Sequence, residues 1–80
     1  MEFRRGQVVL AKCGREEGRL LAVTGTAETR VFVCDGKERP LEKPKAKNPR
    51  HLQKTTVTLD ENAMATNRKL KKALGELMRK

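Results

Sequence analysis

Two short apolar runs, residues 8–13 and 20–23, are separated by a hinge bounded by Gly14 and Gly18. Runs this short and rich in β-branched residues suit strands rather than helices. Glycine at both ends of a three-residue connection supplies positive φ and lets the backbone approach another molecule closely. An ordinary hairpin satisfies the same pattern. Phe3 and Phe32 are the only aromatic residues, so the core has to be built from Val, Leu, Ala and Cys. A chain of 80 residues supports one small domain with a core only just large enough to fold unaided.

Alternation of apolar and polar positions predicts strands over 7–13, 19–24 and 29–34, with a turn at Thr24-Gly25-Thr26-Ala27. Asp35-Gly36 is the strongest local turn signal, because Asp-Gly between strands favours a two-residue type I′ hairpin. The returning strand then runs from Lys37 to about Lys43. It lies at an edge or is bulged, since Pro40 lacks the N–H of a central ladder. Four short strands with tight turns predict a mainly β fold, a small antiparallel sheet closing into a barrel. Val9, Val23, Val31, Val33 and Leu52 are its expected core.

The formal charge of +9 points to a polyanionic partner. Its distribution is uneven: residues 1–42 hold eight Lys and Arg against seven acids, and residues 43–80 hold eleven against three. The first half reads as a near-neutral scaffold and the second as the source of attraction. Residues 43–50, with two prolines and no acid, read as an extended, solvated segment. Alternate residues of such a chain point to one side, so Lys43, Lys45 and Lys47 line up about 7 Å apart, near the spacing of successive phosphates. Neutralising the three is expected to leave the fold intact. A short closing strand is expected at 50–53, while 54–65 is ambiguous between strand and helix.

Leu70, Ala73, Leu74 and Leu77 recur at helical spacing behind Thr66 or Asn67 as N-cap, which predicts a helix near 67–78. Arg68, Lys72 and Arg79 fall on its opposite face. Arg68 and Lys69 sit in the first turn, where the helix dipole disfavours positive charge. A stripe that costs local stability is more easily explained by a ligand than by solubility. Whether this helix docks on the barrel or folds on binding is left open by the pattern. The expected division is therefore a barrel over 1–54, including the basic Lys/Pro segment, then a connector and helix over 55–80.

Several separated blocks carry a resemblance. They are Gly6-Gln7-Val8-Val9, Lys12-Cys13-Gly14-Arg15-Glu16-Glu17-Gly18-Arg19, Cys34-Asp35-Gly36-Lys37, Leu41-Glu42-Lys43-Pro44-Lys45-Ala46-Lys47 and His51-Leu52. In this order they resemble the small bacterial KOW-domain RNA-binding proteins, which are similar to KOW-type large-subunit ribosomal proteins of archaea and eukaryotes. The resemblance covers roughly residues 3 to 53. It implies an SH3-like barrel that binds structured RNA, ribosomal RNA above all, without catalysis and in association with the translation machinery. One departure stands out: Glu16-Glu17 puts two acids where a basic residue is expected beside one. Those carboxylates repel phosphate, and Arg15 and Arg19 either bind RNA or pair with them.

The candidate nucleic-acid contacts are Lys12, Arg15 and Arg19 around the hinge, and Lys37 and Arg39 after the Asp-Gly turn. Lys43, Lys45, Lys47, Arg50, His51 and Lys54 follow in the basic segment, and Arg68 and Lys72 on the helix. With so few aromatics, backbone and shape recognition of folded RNA is favoured over base stacking. His51 lacks a motif-level nucleophile or carboxylate partner, and the glycines form no nucleotide-binding fingerprint, so neither an enzyme nor a cofactor is expected. Two Cys and one His fall short of a zinc ligand set. Cys13 and Cys34 read as small hydrophobes of a reduced, cytoplasmic protein, with a disulfide or redox switch as the sharper alternative. The start shows no apolar signal region and no run is long enough to span a membrane. Two other functions fit the same residues. One is a module docking on transcription, translation or ribosomal proteins, and the other is architectural DNA binding.

Overall fold

The computed structural model describes residues 3–79. It contains β1 (Gln7–Ala11), β2 (Leu20–Ala27), β3 (Arg30–Cys34), β4 (Lys45–Lys47), a 3-10 turn (Pro49–His51), β5 (Leu52–Thr58) and α1 (Asn67–Met78). The strands form one antiparallel sheet in the order β4-β3-β2-β1-β5. β4 and β5 are its opposite edges, yet only residues 48–51 join them. The edges of a flat five-stranded sheet stand about 19 Å apart, and four residues that include a 3-10 turn reach only roughly 12 Å. The sheet therefore curls until its edges approach, giving the small antiparallel barrel expected.

Strand alternation sorts the apolar residues into two layers. Val9, Ala11, Leu21, Val23, Val31, Val33 and Leu52 pack together inside the curl, with Phe3 against them. All five residues expected in the core are in this group. The intervening positions Val8, Ala22 and Cys34 face outward and are nonetheless buried, because Met64, Leu70 and Leu74 cover them. The helix thus docks on the outer face of the sheet. Asn67 at its start is clasped by the loop between β3 and β4: its Oδ1 accepts from the Leu41 amide at 2.7 Å and its Nδ2 donates to Glu42 at 2.6 Å. Gly36, at φ +81°, lies so close to the Asn67 carbonyl and Lys71 amide that a Cβ there meets backbone.

Several expected boundaries move. Thr24–Ala27 is strand, not turn: β2 continues through Ala27 with Thr24 as an extra residue in the register, and the reversal falls at 28–29. Asp35-Gly36 is not a two-residue hairpin, and 37–43 is not a strand. The Asp35 carboxylate accepts from the Lys37 and Arg39 amides at 2.8 and 2.9 Å, folding 35–39 into a loop instead. The partner of β3 is β4, so residues 45–47 of the Lys/Pro segment are paired strand rather than solvated chain. Residues 49–51 are a 3-10 turn, and the last strand runs from Leu52 to Thr58, past the boundary expected at 54. Its register against β1 shifts between Gln7 and Val9, and the Thr55 hydroxyl donates to the Val8 carbonyl at 2.7 Å. The helix falls on 67–78 with Thr66 as its N-cap, accepting from the Lys69 amide.

Candidate nucleic-acid interface

The register of β4 decides where its lysines go. Val31 pairs with Lys47 and Val33 with Lys45. Directly opposed residues share a face, and Val31 and Val33 face the barrel interior, so both lysines turn to that side. A buried ammonium needs a counter-ion, and the β1–β2 loop supplies it. Gly14 and Gly18, at φ +87° and +83°, allow residues 14–19 to fold back in a tight coil. In it the Glu17 amide bonds to Gly14 O and the Arg19 amide to Glu16 O. That coil carries Glu16 inward to 1 % exposure.

Three cations converge on the Glu16 carboxylate. Lys47 Nζ is 2.8 Å from Oε1, Arg39 Nη2 is 3.1 Å from Oε2, and Lys45 Nζ is 3.9 Å from Oε1. Lys47 is a close ionic contact lying off the direction of a hydrogen bond, whereas Arg39 donates from both Nε and Nη2 to Oε2. The Lys47 ammonium is the main reason the Glu16 pKa falls to about 2; Arg39 and Lys45 add to it, and burial opposes all three. Glu16 is therefore ionised and neutralised from within rather than a carboxylate facing phosphate. Lys47, itself buried, is a structural cation and leaves the set of expected contacts. The alternate spacing of Lys45 and Lys47 is real, but the group it meets is an internal carboxylate.

The other expected contacts divide by exposure. Lys12, Arg15, Lys37, Lys43, Arg50, His51 and Lys54 are exposed. The Lys12 amide donates to the His51 carbonyl at 2.8 Å, which places the start of the β1–β2 loop against the 3-10 turn and brings Lys12, Arg50 and His51 to one end of the barrel. Asn48 caps that turn by accepting from the Arg50 amide at 2.9 Å. Lys54 lies 4.9 Å above the Phe3 ring, a cation–π contact that covers the interior layer. Arg19 pairs with neither Glu16 nor Glu17; its partner is Glu38, at 2.8 Å.

On α1, Leu70 and Leu74 are buried while Arg68, Lys69, Lys71 and Lys72 are exposed. A shallow groove of about 400 Å³ runs along this outer face, lined by Arg68, Lys71, Lys72, Gly75, Glu76 and Arg79. Lys69 and Lys71 were not among the expected contacts, although the helical period that buries Leu70 and Leu74 leaves both in solvent. Burial pushes the Cys34 thiol up to about 11, with Asp35 adding to the shift. Cys34 and Cys13 are both free, which is not a disulfide. Among the described residues no group of His, Cys, Asp and Glu could hold a metal ion, and no helix is long and apolar enough to cross a membrane. No family model and no curated protein sequence matches this chain.

Proposed function

We propose that this chain is a non-catalytic, cytoplasmic RNA-binding protein that recognises structured RNA, ribosomal RNA first, through phosphate and shape contacts. The observation that carries the reading is the contrast in how its cations are partnered. Those turned into the barrel share an internal carboxylate, whereas Lys12, Arg15, Lys43, Arg50 and the Arg68, Lys71 and Lys72 face of α1 have no ion pair among the described residues. Cations in the first turn of α1 oppose the helix dipole, and a polyanion repays that cost. RNA is favoured over DNA by the resemblance to KOW-domain proteins.

The test is a binding titration of a folded RNA hairpin and a DNA duplex of equal charge between about 50 and 200 mM salt. About 5–8 phosphate contacts give a log–log slope of about −4 to −7 for the RNA, with DNA weaker because it lacks the 2′-OH and A-form shape. A slope near zero overturns the reading. Equal affinity for both makes the protein an architectural DNA-binding one. A protein-docking module is the second reading, favoured by a groove in which Leu20, Leu74 and Met78 lie between Arg19, Lys37 and Lys71. Met78 is 53 % exposed there. That reading predicts capture of a protein partner with only mild dependence on salt.

A further inference from the structure

The cluster around Glu16 is unbalanced. One carboxylate faces three cations, and only Lys47 is consumed by it: the Lys47 side chain is 7 % exposed, those of Arg39 and Lys45 are 29 % and 37 %. Arg39 commits Nε and one Nη2 hydrogen to Glu16 Oε2. A guanidinium has five N–H donors, so three stay free of any acceptor among the described residues. Lys45, at 3.9 Å, is beyond hydrogen-bond range and keeps all three of its donors. Arg39 reaches Glu16 Oε2 and Lys45 stands off Oε1, so two partly exposed cations are gathered at one carboxylate. Glu16 holds them there; at the same time it leaves two positive charges uncompensated.

We propose that the exposed flank of Arg39 and Lys45 is a phosphate-binding site, in which a phosphate group offsets positive charge that Glu16 leaves uncompensated. The planar Arg39 fork takes two phosphate oxygens and the Lys45 ammonium pairs with one of them. Lys47 stays on Glu16 and acts as a positioning residue, keeping the carboxylate from turning outward. The phosphate is carried either by an RNA backbone or by a free anion. In the first case the site rests on the RNA reading above and names one of its contacts.

The test is an NMR titration of the ¹⁵N-labelled full chain that follows the Arg39 Nε–H, the Lys45 ammonium and the Gly14 amide. Inorganic phosphate is added with ionic strength held constant by sodium chloride. Saturable shifts at these groups, with Lys43 and Lys37 unmoved, support the site, as does at least a fivefold weakening in Lys45→Gln but not in Lys43→Gln. Linear drift shared by all exposed cations overturns it, as does equal loss in the two variants. The wild-type titration decides alone if Lys45→Gln fails to fold. In a second arm, a folded RNA hairpin that moves the same resonances identifies RNA as the carrier. RNA that binds with steep salt dependence and leaves them still assigns the site to free phosphate. If phosphate saturates the site and no RNA binds, the site stands and the functional reading falls.

Discussion

Around Glu16, three cations converge on one carboxylate that is 1 % exposed. Along the outer face of α1, Arg68, Lys69, Lys71 and Lys72 stand in solvent, and Glu76 is the one acid of that helix. In sequence the two regions look alike, Lys-Ala-Lys in one and Arg-Lys-Leu-Lys-Lys in the other. What separates them is the period of the backbone that carries them. In β4, facing the partner strand's inward residues commits Lys45 and Lys47 to the barrel side, where a charge must be paired. In α1 the leucines take the buried stripe and leave the cations to water, with no ion pair among the described residues. A count of basic residues cannot tell a charge used to close a fold from one left for a partner.

The sharpest break in that comparison comes from Lys47. Lys47→Ala strands Glu16 with Arg39 and a distant Lys45, and it is expected to destabilise the fold by about 2–4 kcal/mol, somewhat below the cost of fully orphaning a buried charge. Lys72→Ala on the helix should stay within about 0.5 kcal/mol of wild type. Urea unfolding at neutral pH measures both. Equal small effects would show that the Glu16 cluster is a surface pair in energetic terms. This also corrects the expectation that Lys43, Lys45 and Lys47 can be neutralised together without harm to the fold: Lys47 cannot.

Acid gives the next effect. The folded pKa of Glu16 is about 2 against an ordinary 4.5, so between those values the unfolded chain binds the extra proton. Stability from Glu16 is therefore fully present above about pH 4.5 and is lost as pH falls through about 2, an effect of up to about 3 kcal/mol. In Glu16→Gln this part of the pH dependence should vanish, leaving a flatter unfolding profile across the same window. An unchanged profile would place the responsible carboxylate elsewhere.

The contact between barrel and helix is tested by two glycines of similar φ. Gly36→Ala forces a Cβ into the Asn67 and Lys71 backbone, whereas at Gly18, φ +83°, no atom lies within 4 Å of the added carbon. The left-handed φ alone costs about 1–2 kcal/mol, so Gly18→Ala should lose about 1 kcal/mol and Gly36→Ala at least about 2 kcal/mol. Thermal unfolding followed by far-UV circular dichroism compares them. Equal losses would mean that α1 does not sit where its packing against Val8, Ala22 and Cys34 puts it.

These same residues mark what was legible in the sequence. The interior core was, because Val9, Val23, Val31 and Val33 obey a period of two, and the helix was, because Leu70, Leu74 and Leu77 obey one of 3.6. Local chemistry misled where a distant partner prevailed. Asp35-Gly36 has the composition of a hairpin, but Asp35 spends its carboxylate on two loop amides and Gly36 yields space to the helix some thirty residues on. Lys45–Lys47 lies between prolines and looks like a linker until β3 offers an edge. Glu16 looks from the sequence like an acid out of place in a phosphate loop, since nothing within its own neighbourhood reveals that Lys47 and Arg39 close on it.

The smallest effect is the one that best separates the two uses of charge, because stability and binding should move in opposite directions. Arg68 occupies the first turn of α1, where no acid is present and the free amide N–H groups disfavour a cation. Arg68→Glu reverses that term and is expected to stabilise the protein by about 0.5–1 kcal/mol. The same change removes a cation from the outer face, so RNA affinity should fall and the salt slope should shrink by about 1 or slightly more. Lys47 cannot behave this way, since its removal leaves the buried Glu16 short of its nearest cation and costs stability. Calorimetry and an RNA titration on the same preparation read both signs. If Arg68→Glu stabilises the fold while RNA affinity and slope stay unchanged, the outer face of α1 is merely solvated, and the RNA surface retreats to the barrel end around Lys12, Arg50 and His51.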